Sequence, residues 1–351
     1  MVEALEGLLA GRRQRWLVTG AAGFIGSNLV EALLRAGQDV RAVDNFATGH
    51  RHNIDDLQGV ARASAGKLEF LEADITDPGA CESMVADIDR VLHQAALGSV
   101  PRSIAEPVGS FRANVGGFVH LLDAARRAGV RRFVYASSSS VYGDSERLPK
   151  READRGRVLS PYAATKLADE LFADVFARCY GLECVGLRYF NVFGPRQDPA
   201  GAYAAVVPRW VDAMLHGQPV TIFGDGRTSR DFCYVANAVQ ANLRAALTDD
   251  LPSAHEVYNV AVGERTSLLE LFALIRDSLA RIDPRVASCE PVFADFRPGD
   301  VRHSLADVEK ATRELGYRPS HTVAQGMAEA LPWYVRRARG GRHDAGSAGE
   351  A

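Results

Sequence analysis

Tyr162 and Lys166 stand four residues apart inside Pro161–Tyr180, a run that reads as one long helix with proline in its first turn. Side chains at that spacing share a helix face, which brings an ammonium close to a phenol. Tyrosine in water ionises near pH 10, and a neighbouring cation favours the phenolate. Such a phenol can take a hydroxyl proton while a hydride leaves the same carbon. Surface Tyr-x-x-x-Lys pairs are common, so the spacing alone says little. Ser138 adds weight, because it ends the preceding strand, and open α/β sheets bind ligands at their carboxyl edge.

A partner for the hydride is implied near the start of the chain. Val18-Thr19-Gly20-Ala21-Ala22-Gly23-Phe24-Ile25-Gly26 lies between a strand and a helix. Gly20 permits the tight turn, Gly23 lets the backbone approach a pyrophosphate, and Gly26 lets helix and strand pack closely. The helix N-terminus then faces phosphates with free N–H groups. Asp44 ends the second strand and sets a carboxylate where the adenosine ribose hydroxyls lie. It would repel a 2′-phosphate, so the expected cofactor is NAD rather than NADP.

The elements that must position these groups alternate. Strands are expected at Arg15–Thr19, Asp39–Val43, Leu68–Leu71, Arg90–His93, Phe133–Ala136 and Glu183–Tyr189, and helices at Phe24–Ala36, Phe111–Ala128 and Pro161–Tyr180. This rhythm predicts an α/β fold, a Rossmann-type doubly wound parallel sheet with helices on both faces. After Asn191 glycine and proline become frequent, and helices reappear at Val235–Leu247, Leu268–Leu279 and Ala324–Arg336. The expected organisation is an N-terminal extension (1–14), an NAD-binding domain (15–190, with returns near 231–262), a smaller C-terminal α/β substrate lobe (191–339) and a flexible tail (340–351).

Composition narrows the function classes. The 351 residues carry a formal net charge of −3, and the basic run Arg336–Arg342 reads as a solvated end, so no nucleic-acid partner is expected. The five cysteines are odd in number and none has CxxC spacing, which implies reduced thiols and no metal site. No apolar run is long enough to span a membrane or serve as a leader, so a cytoplasmic enzyme without a membrane partner is expected.

The GxxGxxG spacing, with Asp74-Ile75 after the third strand and His93-Gln94-Ala95-Ala96 after the fourth, resembles the extended short-chain dehydrogenase/reductase superfamily. The resemblance implies a catalytic triad of Ser138, Tyr162 and Lys166. It places Gly20, Gly23, Phe24, Ile25, Gly26, Asp44, Asn45, Asp74, Ile75, Gln94, Ala95, Ala96, Asn114, Tyr162, Lys166 and Tyr189 at the cofactor. Relatives that dehydrate sugars carry an Asp-Glu pair where Ser139-Ser140 stand, and those that decarboxylate uronic acids carry Glu at the position of Ser140. Here only hydroxyls are present, which suits a 4-epimerase that oxidises C4, turns the ketone over and reduces its other face.

Asn191-Val192-Phe193-Gly194-Pro195, Ser229-Arg230-Asp231-Phe232 and Phe296-Arg297-Pro298-Gly299-Asp300 resemble motifs of nucleotide-sugar epimerases, the last two being diphosphate-binding stretches. Gly201–Pro208 resembles a lid over sugar and uridine. Leu92–Ser103 and Gly299–Asp307 bring the resemblance nearest to the bacterial UDP-N-acetylglucosamine 4-epimerase group of surface-polysaccharide pathways. It implies a sugar ring framed by Gly98, Ser138, Ser139, Tyr162, Asn191, Ala205 and Ser304, with Ser99, Ser140, Val206, Arg230, Arg297 and Asp300 also on the UDP-sugar. Ser304 stands where epimerases restricted to glucose and galactose carry a large aromatic, which leaves room for an N-acetyl group. A UDP-uronate 4-epimerase is the alternative, with Arg102, Arg302 and His303 as candidate cations, although the glucuronate enzymes typically have Thr at the position of Asn191. A scaffold that binds NAD without turnover is disfavoured because Tyr162 and Lys166 are both kept. The family's pairing of the two long helices across a two-fold axis implies a homodimer.

Overall fold

Short apolar runs ending in glycine or polar residues form seven parallel strands in one sheet: β1 (Arg15–Thr19), β2 (Asp39–Asp44), β3 (Leu68–Glu72), β4 (Arg90–His93), β5 (Arg132–Ser138), β6 (Cys184–Tyr189) and β7 (His255–Val260). The computed structural model describes Leu9 and residues 13–199, 205–296 and 301–340. The strand order is β7-β6-β5-β4-β1-β2-β3, the doubly wound Rossmann arrangement with one added strand. β7 comes from the second half of the chain and pairs with β6 from His255↔Cys184 to Val260↔Tyr189.

Twelve helices of the described residues follow in chain order: α1 (Phe24–Arg35), α2 (Arg51–Arg62), α3 (Pro78–Val85), α4 (Val100–Ala105), α5 (Pro107–Phe111), α6 (Gly117–Arg127), α7 (Pro161–Tyr180), α8 (Val206–Leu215), α9 (Val235–Leu247), α10 (Leu268–Ala280), α11 (Glu309–Leu315) and α12 (Val323–Gly340). Alternate residues of β1 serve opposite faces of the sheet. Trp16 and Val18 join a core with Leu29, Leu33 and Val239 of α1 and α9, while Leu17 joins Met84, Phe118 and Leu121 of α3 and α6. A third core forms among Phe193, Trp210, Phe232, Phe272, Met327 and Leu331.

The helix expected at Phe111–Ala128 differs. It begins at Pro107, passes through a π turn at Arg112–Gly116, and continues as α6. The extra residue in that turn sets Asn114 toward the loop after β4, where its amide bonds both Leu97 N–H and Leu97 C=O. Gly117 then lets α6 pass over Ile75, since a Cβ there would lie 2.6 Å from Ile75 Cγ1. Single-turn π insertions of this kind recur at functional sites.

Leu9, Arg13 and Gln14 are tied to the sheet. Leu9 is buried in the first core, Arg13 forks onto Asp39, and Gln14 accepts from Arg90. Residues 341–351, Arg297, Asp300 and Gly201–Ala204 lie outside the described residues, so the readings of the tail, of those two polar residues and of most of the lid are not addressed by this fold.

Candidate active site

The carboxyl ends of the strands assemble the site. Gly20 follows β1 with φ +67, and a Cβ on it would come within 2.8 Å of Ala95 N. Gly26 sits one turn into α1, where a Cβ would meet Gly20 O at 2.1 Å. Side chains are thus excluded between the first turn of α1 and the loop after β4, with Gly23 as the helix N-cap. Asp44, the last residue of β2, is buried and accepts from Ala22 N–H (2.9 Å) and Phe46 N–H (2.7 Å). Burial raises its carboxyl above the ordinary range, opposed by those N–H groups. Each oxygen keeps a lone pair for a ribose hydroxyl.

The residues expected near the adenine lie on loops after β2 and β3. Asn45 donates to Asp74 Oδ2 (2.9 Å), and Asp74 Oδ1 accepts from Thr76 N–H (2.7 Å). Phe24 and Ile25 are half-buried on the first turn of α1, packed against the third and first cores respectively. At the other end Gln94 is fixed from two sides. Its Oε1 accepts from Tyr189 O–H (3.0 Å), and its Nε2 donates to Asn242 Oδ1 (3.1 Å). Asn242 also donates to the Tyr189 oxygen (2.7 Å), closing a three-residue network beneath the loop Gln94–Ala96. The glycine turn and the buried Asp44 fit a dinucleotide.

Ser138 and Tyr189 are register partners at the ends of β5 and β6. Ser138 Oγ accepts from Ser140 N–H (3.2 Å) and caps the 3₁₀ turn Ser139–Tyr142, which leaves its own proton to donate outward. Ser140 Oγ is buried without a hydrogen-bond partner among the described residues. Tyr162 is half-buried in the first turn of α7, with its N–H held by Ser103 Oγ at 2.9 Å. Lys166, expected beside the phenol, directs its described hydrogen bonds to Ala136 C=O (2.9 Å) and Asp169 Oδ2 (3.1 Å). A buried ammonium needs acceptors, and these supply two of its three.

The residues expected at the sugar come from separate places. Ser99, after Gly98, has φ 104 and caps α4 by accepting from Arg102 N–H. A non-glycine residue in that region stores about 1–3 kcal/mol of strain. Asn191 has φ 33 and donates to Asp231 C=O (3.2 Å). It lines a cavity of about 320 Å³ with Ala205, Val206, Trp210, Phe223 and Arg230. That volume is at the small end of ligand pockets. Arg230 Nη1 donates to Ser229 and Arg302 carbonyls (3.0 and 3.2 Å). Ser304 is half-buried, and its N–H donates to Ser229 C=O (3.0 Å).

Three buried acids escaped the motif reading. Asp231 lies inside a stretch read for its arginine. It accepts from Val262, Gly263 and Ala306 N–H groups and so staples β7's exit to the segment carrying Ser304. Asp169 and Glu170 follow Lys166 by three and four residues, a spacing that itself signals contact on a helix. Glu170 accepts a two-pronged contact from Arg188 (2.8 and 2.8 Å) and the Ser137 hydroxyl (2.6 Å).

Fold and site define a class: a Rossmann enzyme with a dinucleotide cradle, with Ser138 at the end of β5 and Tyr162 and Lys166 on the helix α7 that packs beside it. Residues 16–261 match the NAD dependent epimerase/dehydratase family; the chain belongs to that family, and its cofactor is NAD. It is 37% identical over 328 residues to a UDP-glucose 4-epimerase of Mycolicibacterium smegmatis, covering 93% of this chain and 100% of that protein. A UDP-N-acetylglucosamine 4-epimerase from Methanobrevibacter ruminantium M1, solved with UDP-N-acetylmuramic acid, superposes with TM-score 0.84 at 35% identity, covering 93% of this chain and 99% of that one. A UDP-glucuronic acid 4-epimerase variant from Bacillus cereus, bound to NAD and a fluorinated UDP-glucuronic acid, gives TM-score 0.81 at 31% identity, covering 92% and 99%. No described helix is long and apolar enough to cross a membrane.

Proposed function

We propose that this enzyme interconverts UDP-N-acetylglucosamine and UDP-N-acetylgalactosamine by inverting C4. The observation that carries the reaction type is the turn after β5. The family resemblance puts the further acid or base of elimination or decarboxylation at Ser139 and Ser140, and the turn carries only serines there. NAD, when bound, supplies the hydride acceptor and donor. Tyr162 takes the proton of the C4 hydroxyl and later returns it, a role worth about 10²–10⁴-fold in rate. Ser138 donates to the same substrate oxygen, and Lys166 favours the phenolate form of its neighbour.

Residues 191–339 form the nucleotide-sugar lobe in this reading, apart from the return near 231–262 that lends α9 and β7 to the sheet. The cavity beside Asn191 takes the nucleotide, with Arg230, Arg297 and Asp300 at the diphosphate side. Asn191, Ala205 and Ser304 leave room for the acetamide, and Ser139 and Asn191 offer it hydrogen bonds. The UDP-uronate alternative would want a cation near C6. Arg302 is engaged by Asp225 (2.6 Å) and His303 by Ser229 (2.9 Å), which supports the neutral sugar. The reading is tested by incubating the protein, without added NAD, with UDP-N-acetylglucosamine, UDP-glucose and UDP-N-acetylglucosaminuronate separately and following each sugar by NMR. Conversion confined to the uronate would overturn it.

The enzyme is further proposed to act as a homodimer. Ile104, Val108 and Phe111 on α4 and α5, and Leu171, Phe172 and Val175 on α7, are exposed on helices that pack together. Apolar clusters of this kind on a surface mark interfaces.

A further inference from the structure

We propose that Asp169 is a positioning residue for the catalytic pair: it anchors the Lys166 ammonium beneath β5 and, through its charge, sets how strongly that ammonium acts on the Tyr162 hydroxyl. This rests on the roles given above to Tyr162 and Lys166.

The geometry is specific. Lys166 is 2% exposed and Asp169 0%, and they meet at 3.1 Å. Ala136 C=O takes a second ammonium proton. Asp169 Oδ1 is buried with no hydrogen-bond partner among the described residues, where the carboxylate is held by the lysine alone. An ion pair this deep is not explained by stability, since removing two charges from water costs as much as their attraction returns. It is explained if the pair regulates a neighbour. Tyr162 lies one turn back on the same face as Lys166. An ionised Asp169 cancels much of the ammonium's field there, whereas a protonated Asp169 releases it.

The surroundings leave this pair as the variable charge. On α7 itself Glu170 is matched by Arg188 of β6. Across from it on β4, His93 is held down at about 3 by burial, with Lys166 adding, and is neutral. On β5, Tyr135 is raised by burial, with Glu170, Cys184 and Asp169 adding, and stays a phenol. Burial pushes Asp169 itself up from the carboxylate range, with Glu170 adding and Lys166 pulling it down, so its ionisation moves toward the working range.

Asp169→Asn separates charge from position, because the amide oxygen still accepts from Lys166. The measurement is the ultraviolet phenolate band of Tyr162 in protein without substrate, isolated from the ten tyrosines by subtracting the same titration of the matching Tyr162→Phe form. In Asp169→Asn the band is expected at lower pH than in wild type by about 0.5–1 unit, toward the low end of what a nearby charge does. The acid limb of kcat should move the same way with KM unchanged, and Asp169→Glu should restore both. An unmoved band overturns the proposal even if epimerisation proceeds. Absence of epimerase activity on every UDP-sugar in the wild type, with the band moving as expected, overturns the functional reading instead. Asp169→Ser repeats the test if Asn prevents folding; if neither variant folds, the pair is structural and the proposal falls.

Discussion

Asn114 Nδ2 donates to Thr165 Oγ1 at 3.1 Å, and Thr165 in turn donates to Tyr162 C=O at 2.7 Å. Through these bonds the π turn that breaks the helix after α5 is joined to the turn of α7 that carries the tyrosine. Asn114 also holds both backbone groups of Leu97, so one amide fixes the loop after β4 relative to α7. Thr165→Val keeps the shape and removes the hydroxyl. Leaving a buried Asn114 N–H without an acceptor costs about 1–3 kcal/mol. We expect a matching fall in stability by denaturant unfolding and a lower kcat from the loosened tyrosine. Unchanged stability and kcat would show that the link is idle.

Tyr162→Phe loses one hydroxyl and keeps the ring, so the fold and bound NAD should persist. Turnover should fall by about 10²–10⁴-fold, the typical contribution of general acid–base catalysis. The check is paired: cofactor content by absorbance and epimerisation by NMR on the same preparation. Near-normal turnover would remove Tyr162 from the chemistry.

Glu170 ties α7 to β6 at the back of the site. Burial pushes its carboxyl up, but the Arg188 contacts, the Ser137 hydroxyl and Arg155 outweigh burial, and it lies below the ordinary value. A folded value below the unfolded value of about 4.3 means that stability from this group is present above that pH. It is lost as pH falls through the folded value. Glu170→Gln leaves Arg188 buried and unmatched, which costs about 3–5 kcal/mol at neutral pH. The gap between wild type and variant should narrow in unfolding curves taken at about pH 3. A gap independent of pH would mean that packing, not charge, is lost.

The parts of the fold legible in the sequence are those with local signals. α7 runs over the expected residues because Ser160 caps it by accepting from Ala163 N–H (3.1 Å), Pro161 opens it and Gly181, at φ +71, ends it. The glycine turn and Asp44 were readable for the same reason. α2 was not: Ile54, Leu57, Val60 and Ala61 do keep helical spacing against the first core, but they are diluted by eight polar or glycine residues among its twelve. The π turn is set by Asn114's partners at Leu97 and Thr165, distant in sequence, and Asp231's acceptor role depends on Val262, Gly263 and Ala306. Such contacts leave no periodic trace, so the motif was visible while the work of its acid was not.

The exposed face of α4, α5 and α7 gives the fourth expectation. Light scattering at micromolar concentration should return twice the chain mass, in keeping with the two-fold assemblies most common among homo-oligomers. Leu171→Glu with Val175→Lys, both exposed at present, should yield monomer without unfolding it. A wild-type chain that is already monomeric would leave the apolar face unexplained by self-association.

In the proposed function, substrate choice turns on Ser304. Its backbone is fixed by the bond to Ser229 C=O and by the bridge between Ser229 and His303, so a substitution changes the side chain and little else. A 4-keto sugar must present both faces to the cofactor, so the ring has to swing within the pocket, and an acetamide needs clearance in both poses. Ser304→Tyr fills that volume. Forcing the acetamide against it should cost at least what overpacking a core costs, about 1–3 kcal/mol. At about 1.4 kcal/mol per decade that is roughly five- to more than a hundredfold in relative rate. UDP-glucose and UDP-galactose lack the group and should be spared, so the ratio of the two activities changes rather than their sum. Measuring kcat/KM for both pairs in wild type and Ser304→Tyr decides it. If both fall equally, Ser304 is not a size gate, and the N-acetyl assignment loses its main physical support.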